Sequence, residues 1–228
     1  MTILAMDTAT AATAVALDRG DCAVFEARHD PAAGERPGHA SRLLGLIEET
    51  LAAAGVALDD VGRLAVGTGP GSYTGLRIGV ATARALAQAH GAQLVGVSTL
   101  RALAEGAAER EGRGARLAVL DARRGEAFAA AWRDGEELLA PAALAPAALA
   151  RAAAGLPRPV LAIGEGTLRF RHEIEPAGAA IPPDDDPIHR VSAAPMCRLA
   201  RAAEPGAREA VLPEYLRLPD AEIARRRA

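Results

Sequence analysis

Gly67-Thr68-Gly69-Pro70-Gly71-Ser72-Tyr73-Thr74-Gly75-Leu76-Arg77-Ile78-Gly79 is the stretch on which the reading of this chain turns. The apolar run Leu64 to Val66 before it predicts a buried strand, and the periodic run Thr74 to His90, stopped by Gly91, predicts a helix. Glycines at such a junction permit positive φ and close backbone approach, and Ser72 or Thr74 is placed to cap the helix. Two sharper phosphate-binding readings fail. A P-loop needs Gly-Lys-Ser/Thr, and the chain has no lysine; a dinucleotide fingerprint needs glycine where Ser72 or Thr74 stands. Taken as a bare turn, the segment reads as structural. Within the helix, Gly75, Gly79, Ala83 and Ala87 recur every fourth residue and form a ridge without bulk. That ridge packs either on the protein's own sheet or on a partner helix. Because the helix is apolar on nearly all sides, a second covered surface is expected.

Toward the N-terminus, Ile3 to Met6, Ala12 to Leu17 and Cys22 to Ala27 are short apolar runs separated by polar turns, and predict an antiparallel meander. A Pro- and Gly-containing loop, Asp30 to Gly38, precedes Leu43, Leu44, Ile47, Leu51 and Ala54 at helical spacing, closed by Gly55. Beyond the central helix, Leu94 to Val97 predicts a strand running into a helix from Ser98. The order β-β-β-α-β-α-β-α is that of a ribonuclease-H-like or actin-like half-domain, an antiparallel unit followed by parallel crossovers.

The polar stretch Glu105 to Gly114 breaks every apolar period and reads as a boundary, giving units at residues 1–104 and 115–228. Leu117 to Leu120 and Ala127 to Trp132 flank Asp121 to Glu126 and predict a second opening hairpin. A helix around Leu144 to Ala154, a strand Val160 to Ile163 and a helix around Met196 to Ala203 make the second half a reduced echo of the first. The expected class is therefore α/β, an actin-like (ASKHA) fold of two similar subdomains with mixed sheets.

A chain of 228 residues, half of them apolar, is long enough for a sizeable core, built here from Ala, Val, Leu and Ile because aromatic residues are few. A net charge of -3 supplies no field that would draw in nucleic acid, and the one dense basic run is Arg225-Arg226-Arg227. Cys22 and Cys197 show neither disulfide nor zinc spacing, which suits a reducing compartment. With no basic leader before Asp7 and no long apolar stretch, a cytoplasmic protein away from membranes is expected.

The G-P-G-S-Y-T-G-L-R-I-G run, the opening I-L-A-M-D-T-A-T, V-S-T-L at Val97 to Leu100, L-D-A-R-R-G-E-A-F at Leu120 to Phe128 and P-E-Y-L-R at Pro213 to Arg217 closely resemble the TsaB (YeaZ) family, from residue 3 to residue 217. The resemblance implies an actin-like fold homologous to the catalytic subunit TsaD. It implies a non-catalytic role in forming N6-threonylcarbamoyladenosine beside the anticodon of tRNA, with TsaD and the ATPase TsaE as partners. It also implies tRNA contact only within that complex, and self-pairing of the isolated chain. The interface expected is the pair of helices carrying Leu43, Ile47, Leu51, Gly75, Leu76, Gly79 and Ala83.

The catalytic paralogue holds its metal through two histidines a helical turn apart and a later aspartate. Here His39 is followed four residues on by Leu43, and the aspartate's counterpart is Ser192, so no metal is expected. Asp7 and Thr8 after the first strand, with Asp121 and Gly164 in later loops, mark a vestigial nucleotide cleft, though Ala9 stands where glycine is wanted. No cofactor is expected. Two enzymatic rivals remain, an actin-like small-molecule kinase or ATPase and an M22-type metallopeptidase homologue.

Overall fold

A computed structural model describes residues 1–217 apart from 22, 33 and 109–113, so Cys22, the second part of the expected boundary segment and Arg225 to Arg227 lie outside the described residues. The chain opens with the meander β1 (Thr2–Asp7), β2 (Thr13–Asp18) and β3 (Val24–His29), then α1 (His39–Ala54), β4 (Val61–Gly69), α2 (Tyr73–His90) and β5 (Gln93–Ser98). These strands form a five-stranded sheet in the order β3-β2-β1-β4-β5, in which β1 is antiparallel to β2 and parallel to β4. After α3 (Thr99–Ala108), the strands β6 (Ala115–Arg123), β7 (Glu126–Arg133), β8 (Glu136–Leu144) and β9 (Val160–Ile163) form a second sheet in the order β8-β7-β6-β9. The two orders match strand for strand, with the fifth strand missing from the second. This is the two-subdomain actin-like fold. Four further helices complete the elements: α4 (Pro146–Gly155), α5 (Glu165–Arg169), α6 (Arg171–Ile174) and α7 (Ala194–Ala202).

Alternation along the strands explains why β1 is buried on both faces. Leu4 and Met6 pack with Leu43, Ile47, Leu51 and Val80 of α1 and α2, whereas Ile3 and Ala5 pack with Met196, Cys197 and Ala200 of α7. Full burial of each large side chain contributes about 1.5 to 3 kcal/mol, so the outer helix layer is held chiefly by apolar area. The face toward α7 is alanine-rich (Ala5, Ala14, Ala16, Ala65), which lets that helix come close. In the second sheet Leu117 and Val119 meet α4, while Ala118 and Leu120 meet Leu100 and Leu103 of α3.

The helices therefore do not respect a division at 104/115. The helix α3, from the first half of the chain, packs on the second sheet; α7, from the second half, packs on the first. Polar contacts fix the exchange: Arg63 on β4 donates to the Ala203 carbonyl at 2.9 Å, and Arg201 on α7 pairs with Asp18 on β2 at 2.7 Å. The segment expected to be a boundary is also helical as far as Ala108, with Gly106 set against Pro195. Among the described residues no helix is long and apolar enough to cross a membrane.

Local signals account for the helix ends. Ser72 caps α2 by accepting from the Gly75 N–H at 3.3 Å, and α1 stops at Gly55, whose left-handed φ of 64° lets its N–H reach the Ala52 carbonyl. The residues of α1 and α2 that face inward and outward differ sharply in the space around them. A Cβ on Gly75 would stand 2.0 Å from the Thr8 carbonyl oxygen, whereas one on Gly45 would meet nothing within 4 Å. Gly75→Ala is expected to destabilise the isolated chain by about 1 to 3 kcal/mol. Gly45→Ala should stabilise it by about 0.5 to 1 kcal/mol, through helix propensity alone. Urea denaturation of the two variants checks both signs.

Candidate functional site

The turn that follows β1 lies beneath the start of α2, and the side chains of Asp7 and Thr8 and the Ala9 backbone in it are bonded internally. The Asp7 side chain is 1% exposed; its Oδ1 accepts from the Ala9 N–H at 2.8 Å and its Oδ2 from the Thr99 hydroxyl at 2.8 Å. Burial pushes the Asp7 carboxyl above its ordinary value, against the opposing effect of those two donors. The Thr8 hydroxyl donates to the Gly75 carbonyl at 2.8 Å, and the Ser72 N–H donates to the Ala9 carbonyl at 2.7 Å. A Cβ on Gly71 would stand 2.3 Å from that same carbonyl oxygen. The glycine turn is thus folded onto the Asp7-Thr8-Ala9 turn, backbone against backbone, and the N–H groups of Ala9, Ser72 and Gly75 are all engaged.

The other two residues of the expected cleft are placed differently. Gly164, with φ of 98°, is buried where a Cβ would stand 2.2 Å from the Val119 carbonyl oxygen and 2.6 Å from Leu103. Asp121 lies at the β6–β7 turn, where it accepts from the Arg123 N–H at 2.8 Å and from Arg169 at 2.8 Å. The helix α3 links two of the four positions, its Thr99 holding Asp7 and its Leu103 covering Gly164 one turn later. Thr99 was not given a role from sequence; a hydroxyl at the start of a helix that follows a strand was the available signal.

His39 opens α1, is 3% exposed and shares a 2.8 Å hydrogen bond between its Nδ1 and the Thr13 hydroxyl; its Nε2 is buried without a hydrogen-bond partner. Leu43, four residues on, is 1% exposed in the core, and Ser192 accepts from the Ala194 N–H at 3.2 Å. Among the described residues no group of three or more His, Cys, Asp or Glu side chains is placed to hold a metal ion.

The residues expected to face a partner lie inside this chain. Leu43, Ile47, Leu51, Leu76 and Ala83 are core residues, and Gly75 and Gly79 face Thr8, where a Cβ on Gly79 would stand 2.4 Å from the hydroxyl oxygen. The small-residue ridge is spent on the protein's own β1 turn, so enlarging Gly79 tests folding and not pairing. The two helices keep another face outward: Leu44, which is 53% exposed, with Gly45 and Ala52 on α1, and Ala81 and Ala85 on α2 beside half-buried Ile78.

Burial holds the His39 imidazole below its ordinary value, so the unfolded chain takes up the proton first as pH falls. The stability due to neutral His39 is complete above about pH 6.5 and is lost as pH falls from there through the folded-state value. Equilibrium unfolding across that range should show the loss in the wild-type chain and a flatter profile in His39→Asn; parallel profiles would refute the assignment.

A family model for TsaD, tRNA N6-adenosine threonylcarbamoyltransferase, matches residues 27–168. The tRNA threonylcarbamoyladenosine biosynthesis protein TsaB of Bacillus subtilis (strain 168) is 30% identical, with 97% of this chain and 96% of that protein covered. TsaB of Escherichia coli (strain K12) is 40% identical over 60% of this chain and 57% of its own length; the corresponding match to TsaB of Haemophilus influenzae is 39% identical and covers 52% of that protein. The chain therefore spans about half the length of those two relatives. A solved Pseudomonas aeruginosa structure, described as having similarity to peptidase YEAZ, superposes with a TM-score of 0.79 at 30% identity, covering 95% of this chain and 99% of the other. Relatedness over nearly the whole length, together with the matching fold, means that the chain belongs to the TsaB (YeaZ) family.

Proposed function

We propose that this chain is a non-catalytic subunit in the formation of N6-threonylcarbamoyladenosine on tRNA, and that it acts by pairing with a catalytic paralogue of the TsaD type. The observation that carries the reading is the sealed turn after β1. An actin-like enzyme needs that turn open, so that a carboxylate can order a metal shell and backbone N–H groups can meet phosphates. Here Asp7 is held by Ala9 and Thr99, and the cover from α2 leaves no approach between Thr8 and Gly75. The names of the relatives support the pathway, and the match to the TsaD family model supports descent from a common ancestor with the enzyme.

Pairing uses the outward faces of α1 and α2. Leu44, Gly45, Ala52, Ala81 and Ala85 give a small, apolar surface on which two partner helices can approach closely. The heterodimer then recruits the ATPase TsaE and the tRNA in the cytoplasm, so that this chain meets tRNA only as part of the assembly. In isolation the same face pairs with itself, because a two-fold contact between like helices needs no second complementary surface.

Leu44→Asp separates this reading from its failure. Measured on dilute, monomeric protein, it should leave the thermal midpoint nearly unchanged, because Leu44 is exposed on the single chain, and weaken binding to the source organism's TsaD-type protein. The expected loss is about tenfold or more, each factor of ten being about 1.4 kcal/mol. Calorimetry with both proteins measures the affinity. A reconstituted transfer assay completes the test: no threonylcarbamoyl transfer by this chain alone, and transfer when the paralogue and TsaE are added. Transfer by the isolated chain, or unchanged affinity in Leu44→Asp, would overturn the proposal.

A further inference from the structure

Near the C-terminus the chain runs back as a strap, from a 3-10 turn at Arg208–Ala210 to Arg217. The Glu214 N–H donates to the Thr68 carbonyl at 2.7 Å, and Arg217 donates to the Ala122 carbonyl at 3.0 Å, so the strap is fastened to both sheets. Between it and α2 lies a cavity of about 690 Å³ lined by Arg77, Val80, Ala81, Arg84, Leu212 and Tyr215, among others, none of them acidic. Leu212 is 58% exposed and Tyr215 40% exposed, an apolar floor left open by the described residues.

Both arginines border that floor without a carboxylate. Arg77 is held by its neighbours: its Nε donates to the Tyr215 hydroxyl at 3.1 Å, and its guanidinium lies 3.9 Å from the Tyr73 ring centroid. Those contacts fix the direction of its fork and leave the outer N–H groups for another acceptor. Among the described residues Arg84 has no hydrogen-bond or ion-pair partner. Two guanidinium groups on one side of an apolar floor, neither neutralised, call for a ligand that brings negative charge and apolar bulk together.

We infer that this groove is a docking site for an extended segment of a protein partner in which an apolar side chain is flanked by two carboxylates. Arg77 and Arg84 are two helical turns apart, about 10 Å along the axis. An extended chain of polyproline-II geometry, with three residues per turn, covers about 9 Å in three residues and brings residues i and i+3 to the same side, so the fitting pattern is acid-x-x-acid with the apolar group between. A single-stranded RNA suits the groove less well. It would need an open aromatic face for its bases, yet the Tyr73 ring lies against Tyr215 at 4.8 Å between centroids and is covered by Arg77. The net charge of -3 also disfavours a polyanion. The groove is adjacent to the outward face of α2 through Ala81, but the inference does not require the proposed pairing.

Fluorescence anisotropy with three probes tests it: a fluorescein-labelled Gly-Glu-Leu-Val-Glu-Gly peptide, its Gln counterpart, and a labelled oligouridylate. At about 0.05 M NaCl the acidic peptide should bind about tenfold more tightly than the Gln peptide, and at about 0.5 M the difference should largely vanish. Arg84→Gln and Arg77→Gln should each weaken the acidic peptide by about fivefold and leave the Gln peptide unchanged. Leu212→Asp should weaken both peptides. The variant Arg84→Gln keeps the test sound, because it breaks no internal bond and its thermal midpoint should match wild type. Equal binding of the two peptides, an unaffected Arg84→Gln protein, or tighter binding of the oligouridylate than of the acidic peptide would each overturn the inference.

Discussion

Thr8 and Gly75 meet with no side chain between their backbones, and the arrangement of the first sheet and its helices follows from that contact. The Thr8 hydroxyl reaches the Gly75 carbonyl, the Ser72 N–H reaches the Ala9 carbonyl, and Asp7 is closed off below by Gly67 and at the side by Thr99. A bulkier residue at position 67 would fall on the Asp7 carboxylate itself, since a Cβ there would stand 2.0 Å from Oδ2. The geometry sets how α2 leaves the sheet. It also bears on where α1 lies, because α1 packs beside α2 on the same face of the sheet, over β2 and β3. A carboxylate in such a place is costly when ionised, which is why burial raises its pKa; its two donors recover part of that cost.

The second half of the chain repeats the device with fewer parts. After β9, Gly164 and Gly166 are set over Val119 and Leu120 of β6, as the glycines after β4 are set over the end of β1. The helix that follows is short, α5, and no fifth strand is added. The corresponding acid, Asp121, is therefore left at the surface, where Arg169 and the Arg123 N–H compensate it. One half buries its carboxylate and the other solvates it. That asymmetry follows from the length of the covering helix.

Much of this was legible. The meander, the two parallel crossovers, the glycine helix stops and the echo in the second half all come from apolar period and turn chemistry, which are local properties. The strand β8 was not legible: Glu136–Leu144 is a sheet edge, half-exposed along most of its length, and carries Pro141 beside a break in pairing register. Edge exposure removes the alternation that marks a strand, so the segment carries no strand signal. The polar stretch that opens at Glu105 hides the last turn of α3, which runs to Ala108. Gly106 breaks the apolar period but packs on Pro195, a contact from far along the chain. The candidate site was half legible. Period shows that Gly75, Gly79 and Ala83 share one face with Leu76 and Val80 nearby; it does not say what that face touches, and here it touches Thr8 and β4.

The exchange of α3 and α7 decides how the two halves of the molecule are joined. The layers run from α1 and α2 through the first sheet to α7 and α3, then through the second sheet to α4 and α6. The helices at the seam belong to both halves, and the strap from Glu214 to Arg217 joins the sheets a second time. In an enzyme of this architecture the seam is where a cleft would open and close. Here the Asp7 carboxyl is held by two donors, and Thr99 of the seam helix α3 is one of them. Opening the seam would therefore break a buried hydrogen bond and leave the Asp7 side chain short of a partner, an unfavourable change. Two fixed halves fit the proposed role as a subunit, since a partner gains affinity from a surface that needs no ordering on contact.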